Sequence, residues 1–128
     1  ITEVKMGRGS PWAVPLLWML PQPVVMELVL TGETLPIERL AEYGFVNYLE
    51  ETPDAVRARA LQLARKIVEG APLSVRAAKA SVLAAMDLGC EKGLVEANRL
   101  HVEAYASLDA IEGPRAFAEK RKPVWQGK

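Results

Sequence analysis

The chain is predicted to be mainly α, with one or two short strands near its start, and three observations point that way. From Thr52 onward apolar residues recur at helical spacing almost to the end. The helical segments are punctuated by glycine or proline rather than by long loops, as at Thr31-Gly32, Pro36, Gly44, Gly70-Ala71-Pro72 and Gly89. Extended, alternating patterns are confined to Ile1–Met6 and Phe45–Leu49. The texture changes near Thr52, dividing the chain into residues 1–51 and a helical region, 52–128.

Within the first region, Val4 and Met6 alternate against Lys5 and read as a strand end followed by a glycine loop. Ser10-Pro11 sets up a short or irregular helix to about Leu20, apolar nearly all round, which is either buried or lines a pocket. Val25, Leu28 and Val29 mark a helix ended by Gly32, and Pro36 starts a second, ended by Gly44. In the second region Thr52-Pro53-Asp54 caps a helix with Val56, Ala60, Leu63 and Ile67 on its apolar stripe. The next helix is expected from Ser74 to Leu88, with Val75, Ala78, Val82 and Ala85 inward and Gly89 as its stop. A third, from Glu91 to Leu108, turns Leu94, Ala97, Leu100, Ala104 and Leu108 inward. Pro114 predicts a break near Gly113 in the last helix, capped by Asp109, with a clean segment only to about Lys122.

Composition excludes several functions. Lys+Arg and Asp+Glu are 16 each, so net charge gives no footprint for nucleic acid. The longest apolar run, Ala13–Leu20, is interrupted by Pro15 and is too short for a bilayer, so no membrane partner is expected. The single cysteine, Cys90, cannot form an internal disulfide, which suits a reducing cytoplasm. No metal site is expected: His101, the one histidine, has no ligand-spaced partner and reads as a packing or surface residue. Trp12, Trp18 and Trp125 read as buried bulk.

Several motifs in the chain resemble one family. Met26-Glu27-Leu28-x-Leu30-Thr31-Gly32-x-x-Leu35 is followed by Ala41-Glu42-x-Gly44-x-Val46-Asn47. Glu3-Val4-x-x-Gly7 lies upstream, Ala71 to Lys79 lies in the centre, and Gly113-x-x-Ala116-Phe117-Ala118-Glu119-Lys120-Arg121 precedes Pro123-Val124-Trp125-Gln126-Gly127. Together they resemble the C-terminal half of the crotonase superfamily, the enoyl-CoA hydratases and isomerases. The resemblance implies the C-terminal helical region of a ClpP/crotonase fold, acyl-CoA substrates, no cofactor beyond the coenzyme A carried by the substrate, and a homo-oligomer, trimer or hexamer.

The resemblance also implies site residues. Glu3 matches the catalytic glutamate that works with a second carboxylate to orient a water and move a proton beside the thioester carbonyl, although Thr2 stands where the family has proline. Phe117 and Lys120 match residues that reach the CoA adenosine and its 3′-phosphate. In the family, the partner carboxylate and the two oxyanion-hole N–H groups lie in the N-terminal half. The expectation is therefore a truncated form, inactive alone, with a non-catalytic helical self-association module as the alternative. Gly9-Ser10-Pro11-Trp12 departs from the usual glycine-rich loop and implies a tighter or more apolar acyl pocket around Trp12.

Overall fold

The computed structural model describes all 128 residues, and every regular element in it is helical. In chain order these are η1 (Glu3–Met6) and η2 (Pro11–Trp18), both 3-10 helices, then α1 (Gln22–Thr31), α2 (Ile37–Glu42), α3 (Pro53–Val68), α4 (Pro72–Tyr105) and α5 (Leu108–Ala118). They form two compact units, Ile1–Val56 and Arg57–Lys128. No helix is long and apolar enough to cross a membrane.

The mainly helical class holds, but neither short strand forms. A strand needs a neighbour to take its peptide groups. Here they bond locally instead: the Arg8 N–H donates to the Glu3 carbonyl at 2.9 Å and Lys5 N–H to Thr2 at 3.0 Å, winding Glu3–Met6 into a turn of 3-10 helix. Phe45 likewise serves as part of a cap. Gly44 N–H donates to the Ala41 carbonyl and Phe45 N–H to the Leu40 carbonyl, a Schellman ending that requires the positive φ of Gly44, 74°.

The first unit is built around Leu20, Val24 and Val25, with Leu16, Leu28, Val29, Leu35, Leu40 and Phe45 packed on them. Pro23 sits in the first turn of α1, and Gly32 ends that helix at φ 63°, as its sequence requires. A side chain at position 32 would stand 3.1 Å from both Val4 and Lys5, so glycine there lets η1 rest on the end of α1. Arg39 of α2 grips Glu27 of α1 through two hydrogen bonds, 2.9 and 2.6 Å, and this holds the Glu27 carboxyl below its ordinary range. The irregular helix expected from Pro11 is a 3-10 helix, but it buries only Ala13. Trp12 and Trp18 are 60% and 52% exposed, contrary to the expectation of buried bulk.

The Thr52 hydroxyl accepts the Ala55 N–H at 3.2 Å and caps α3, which starts in the first unit and continues into the second, as the sequence predicts. The apolar stripe of α3 is left uncovered: Val56 and Ile67 are more than half exposed. Helix α4 is a hairpin rather than a rod. Gly89, at φ 75° and ψ 177°, lies in a region open almost only to glycine and folds the two arms back on each other. Ser81 then meets His101, and Gly93 abuts Ala85.

The arms begin and face differently from expectation. The first starts at Pro72, with Ala71 as its N-cap, rather than at Ser74. Its buried residues are Leu73 and Ala77, with Ala104 opposite, while Val82 and Leu94 are exposed. Small residues line the seam because close approach of two helix backbones leaves no room for branched chains.

Pro114 does not break α5, which runs unbroken from Leu108 to Ala118 and is capped by Ser107, not Asp109, through the Ala110 N–H. Side chains of α5 instead grip the C-terminal tail. Asp109, 3% exposed, accepts the Gln126 and Gly127 N–H groups at 2.7 and 2.9 Å. Glu112 accepts two hydrogen bonds from Arg121 and one from the Val124 N–H. Trp125 lies over Gly113 and donates its indole N–H to the Glu69 carbonyl at 2.7 Å.

The Glu112 contacts make a pH-dependent clamp. Arg121 first, then the Val124 N–H, lowers the Glu112 carboxyl from 4.5 to about 2. A carboxyl lowered by folding stabilises above its unfolded value, and that contribution disappears as pH falls through its folded value. Melting temperature is thus expected to fall between pH 4.5 and about 2. Glu112→Gln should flatten that slope; the fall does not vanish, because Glu27, Glu33, Glu96 and Glu119 are also lowered. An unchanged slope in the variant would remove the clamp from the account.

Candidate active site

Glu3 sits in the single turn of η1, half-buried, and its carboxylate has no hydrogen-bond partner. The turn is fixed on both sides. Behind it, Lys5 pairs with Glu33 beyond α1, and ahead of it Gly7, at φ 67°, turns the chain so that Arg8 bonds back to the Glu3 carbonyl. Val4, inside this turn, and Arg8, just after it, both line a cleft of about 370 Å³. Its other walls come from Gly9, Ser10, Ala13, Val14 and Leu17 of the loop and η2, and from Gln22, Val25, Met26 and Val29 of α1. Glu3 itself is not among the lining residues, so the cleft adjoins its turn through Val4 and Arg8.

Trp12 is not among the lining residues. The cleft is apolar through Ala13, Val14 and Leu17, the other side of the same helix. Arg8 went unnoticed in the sequence, where it is one charged residue in a glycine loop; only folding brings it to the cleft wall.

Phe117 and Lys120 belong to the second unit, at the end of α5. Phe117 is 87% exposed and packs on nothing in the fold's interior. Lys120 adopts φ 54°, the sole non-glycine residue with positive φ. It occupies the position after the C-cap that usually takes glycine, with the Lys120 N–H donating to Phe117 and the Arg121 N–H to Ala116. Strained left-handed residues concentrate at functional positions. Lys120→Gly is therefore expected to raise stability by about 0.5–1 kcal/mol. If Lys120 meets the 3′-phosphate, the same variant should bind 3′-dephospho-CoA and CoA equally, a difference that a purely structural lysine would not produce.

His101 is a packing residue. Its Nδ1 donates to the Ala97 carbonyl at 2.8 Å, it approaches Ser81 at 3.4 Å, and its ring lies 5.8 Å from that of Tyr105. Cys90 is exposed beside the Gly89 bend.

The family model for enoyl-CoA hydratase/isomerase matches residues 2–128. The chain belongs to the enoyl-CoA hydratase/isomerase family. It is 36% identical to the carnitinyl-CoA dehydratase of Citrobacter koseri and 35% identical to that of Salmonella typhi, with all of this chain and 51% of each relative aligned. Solved structures agree. The enoyl-CoA hydratase of Mycobacterium tuberculosis superposes with a TM-score of 0.90 at 38% identity, and a probable enoyl-CoA hydratase/isomerase of Mycobacterium abscessus with 0.88 at 40%, each over the whole of this chain and 51% of the other. The chain thus spans about half the length of the relatives it matches, and its fold is that of the C-terminal half of this enzyme family.

Proposed function

We propose that this member of the enoyl-CoA hydratase/isomerase family acts on acyl-CoA thioesters, with Glu3 as the acid/base group. The observation that carries the reading is the placement of Glu3: an unpaired, half-buried side chain in a fixed turn whose neighbours in sequence, Val4 and Arg8, line a mostly apolar cleft. In the hydration direction, Glu3 and a second carboxylate orient a water. Its oxygen adds to the carbon one removed from the carbon beside the thioester carbonyl, and a proton goes to the carbon beside that carbonyl. Dehydration is the reverse. The second carboxylate and the donors for the thioester oxygen come from the other half of the family fold. Phe117 and Lys120 hold the adenosine and 3′-phosphate, and no cofactor is needed beyond the coenzyme A of the substrate. The working protein is a cytoplasmic homo-oligomer.

The test is hydration of crotonyl-CoA by this chain co-expressed with the N-terminal half of a solved relative, beside each half alone. Turnover confined to the assembled halves supports the reading; assembled, folded halves that turn over neither crotonyl-CoA nor other enoyl- or 3-hydroxyacyl-CoA thioesters contradict it.

A second reading, a non-catalytic self-association module, draws on the uncovered apolar stripe of α3, where Val56 and Ile67 are more than half exposed, as are Leu61 and Val68 on an adjoining face. Both readings place this surface at an interface. Sedimentation of the chain should show a trimer or larger, and Ile67→Glu should shift it toward monomer; a monomeric parent chain would count against either interface.

A further inference from the structure

The charge distribution around the cleft carries more than the hydration chemistry uses. Arg8 is the one ionised residue on its wall, and no carboxylate lines it. The Arg8 guanidinium has no ion-pair or hydrogen-bond partner; only its backbone N–H is engaged, with the Glu3 carbonyl at 2.9 Å. The other arginine of this unit, Arg39, is held by both oxygens of Glu27. An unpaired guanidinium on a wall whose other residues are uncharged and mostly apolar offers two parallel N–H donors and a fixed positive charge to whatever enters.

We infer that the cleft selects acyl groups that are themselves negatively charged, such as the half-thioester of a dicarboxylic acid. Their hydrocarbon segment lies against Val4, Val25 and Val29, and their free carboxylate pairs with Arg8. The inference rests on the thioester reading above and adds the class of acyl group. A cationic acyl group meets like charge in the same place and is rejected.

The test does not depend on turnover. The 128-residue chain is titrated with hexanoate, hexanamide and hexyltrimethylammonium, and the methyl resonances of Val25, Met26 and Val29 are followed by NMR. Hexanoate is expected to bind about three- to fivefold more tightly than hexanamide, the gain of one partly exposed ion pair, and hexyltrimethylammonium more weakly than either. Arg8→Gln should abolish the hexanoate preference and leave hexanamide binding unchanged. Equal affinities for the three probes, a preference that survives Arg8→Gln, or no shift at these methyls overturns the inference. Any of those results leaves the thioester reading to the crotonyl-CoA assay, and failure of that assay leaves the anion preference measurable by itself.

Discussion

Glu3→Gln is expected to lower crotonyl-CoA turnover by the assembled halves by roughly 10²–10⁴-fold, the usual contribution of a positioned acid/base group. The substitution keeps the size and most of the polarity of the side chain and removes only its ability to exchange a proton at neutral pH. Glu3 makes no side-chain hydrogen bond in the fold, and its turn is held by backbone bonds to Thr2 and Arg8, so the variant should fold and bind substrate as the parent does. The loss should therefore fall on kcat with little change in KM. A rise in KM at constant kcat would instead mark Glu3 as a binding residue. Melting curves of parent and variant, expected to coincide, separate either outcome from misfolding.

The second large effect is on stability. A Cβ at position 93 would stand 2.7 Å from the Ala85 Cα and 2.9 Å from its Cβ, where the two arms of α4 meet. Backbone cannot move aside as a flexible side-chain tip can, so Gly93→Ala must spread the hairpin. Overpacking of this kind costs about 1–3 kcal/mol. For a chain of this size that corresponds to a fall in melting temperature of roughly 5–10 °C. Gly113→Ala is the control: its Cβ would meet only the Trp125 ring at 3.4 Å, an ordinary contact, and it should change melting far less. Equal effects from the two substitutions would show that the hairpin seam is not the tight contact described above.

The elements that were legible in the sequence are those set by local chemistry. Thr52, Gly32 and Gly44 end or begin helices through bonds within a few residues, so their positions follow from residue type alone. Gly89 marked the end of one helix, but its sequence could not show that the chain turns back there. The inward faces of the α4 arms were read only in part: Ala85 and Ala104 lie inward as expected, but Val82 and Leu94 are apolar and outward, and the seam takes small residues such as Ala77 and Gly93 instead. Pro114 was misread for a similar reason: what packs on α5 comes from residues distant in sequence, the Gln126 and Gly127 N–H groups on Asp109 and the Trp125 ring over Gly113.

The candidate site divides in the same way. Glu3, Phe117 and Lys120 were found by resemblance to family motifs, and the fold adds what each does locally: an unpaired carboxylate, an exposed ring, a lysine in a glycine conformation. Arg8 was missed because nothing about a lone arginine in a loop signals that it will face apolar residues of α1. The exposure of Trp12 and Trp18 was also illegible, since composition shows that a helix is apolar but not what covers it.

The measurement that tests the account most directly is loss of enoyl-thioester absorbance when the purified 128-residue chain alone meets crotonyl-CoA, run beside Glu3→Gln. The account assigns proton transfer to Glu3 and enolate stabilisation to donors outside this chain, and such stabilisation is the largest catalytic term. It therefore predicts no turnover by either protein alone. Turnover by the parent that disappears in Glu3→Gln would show that this chain assembles a complete site by itself, contradicting that division of labour.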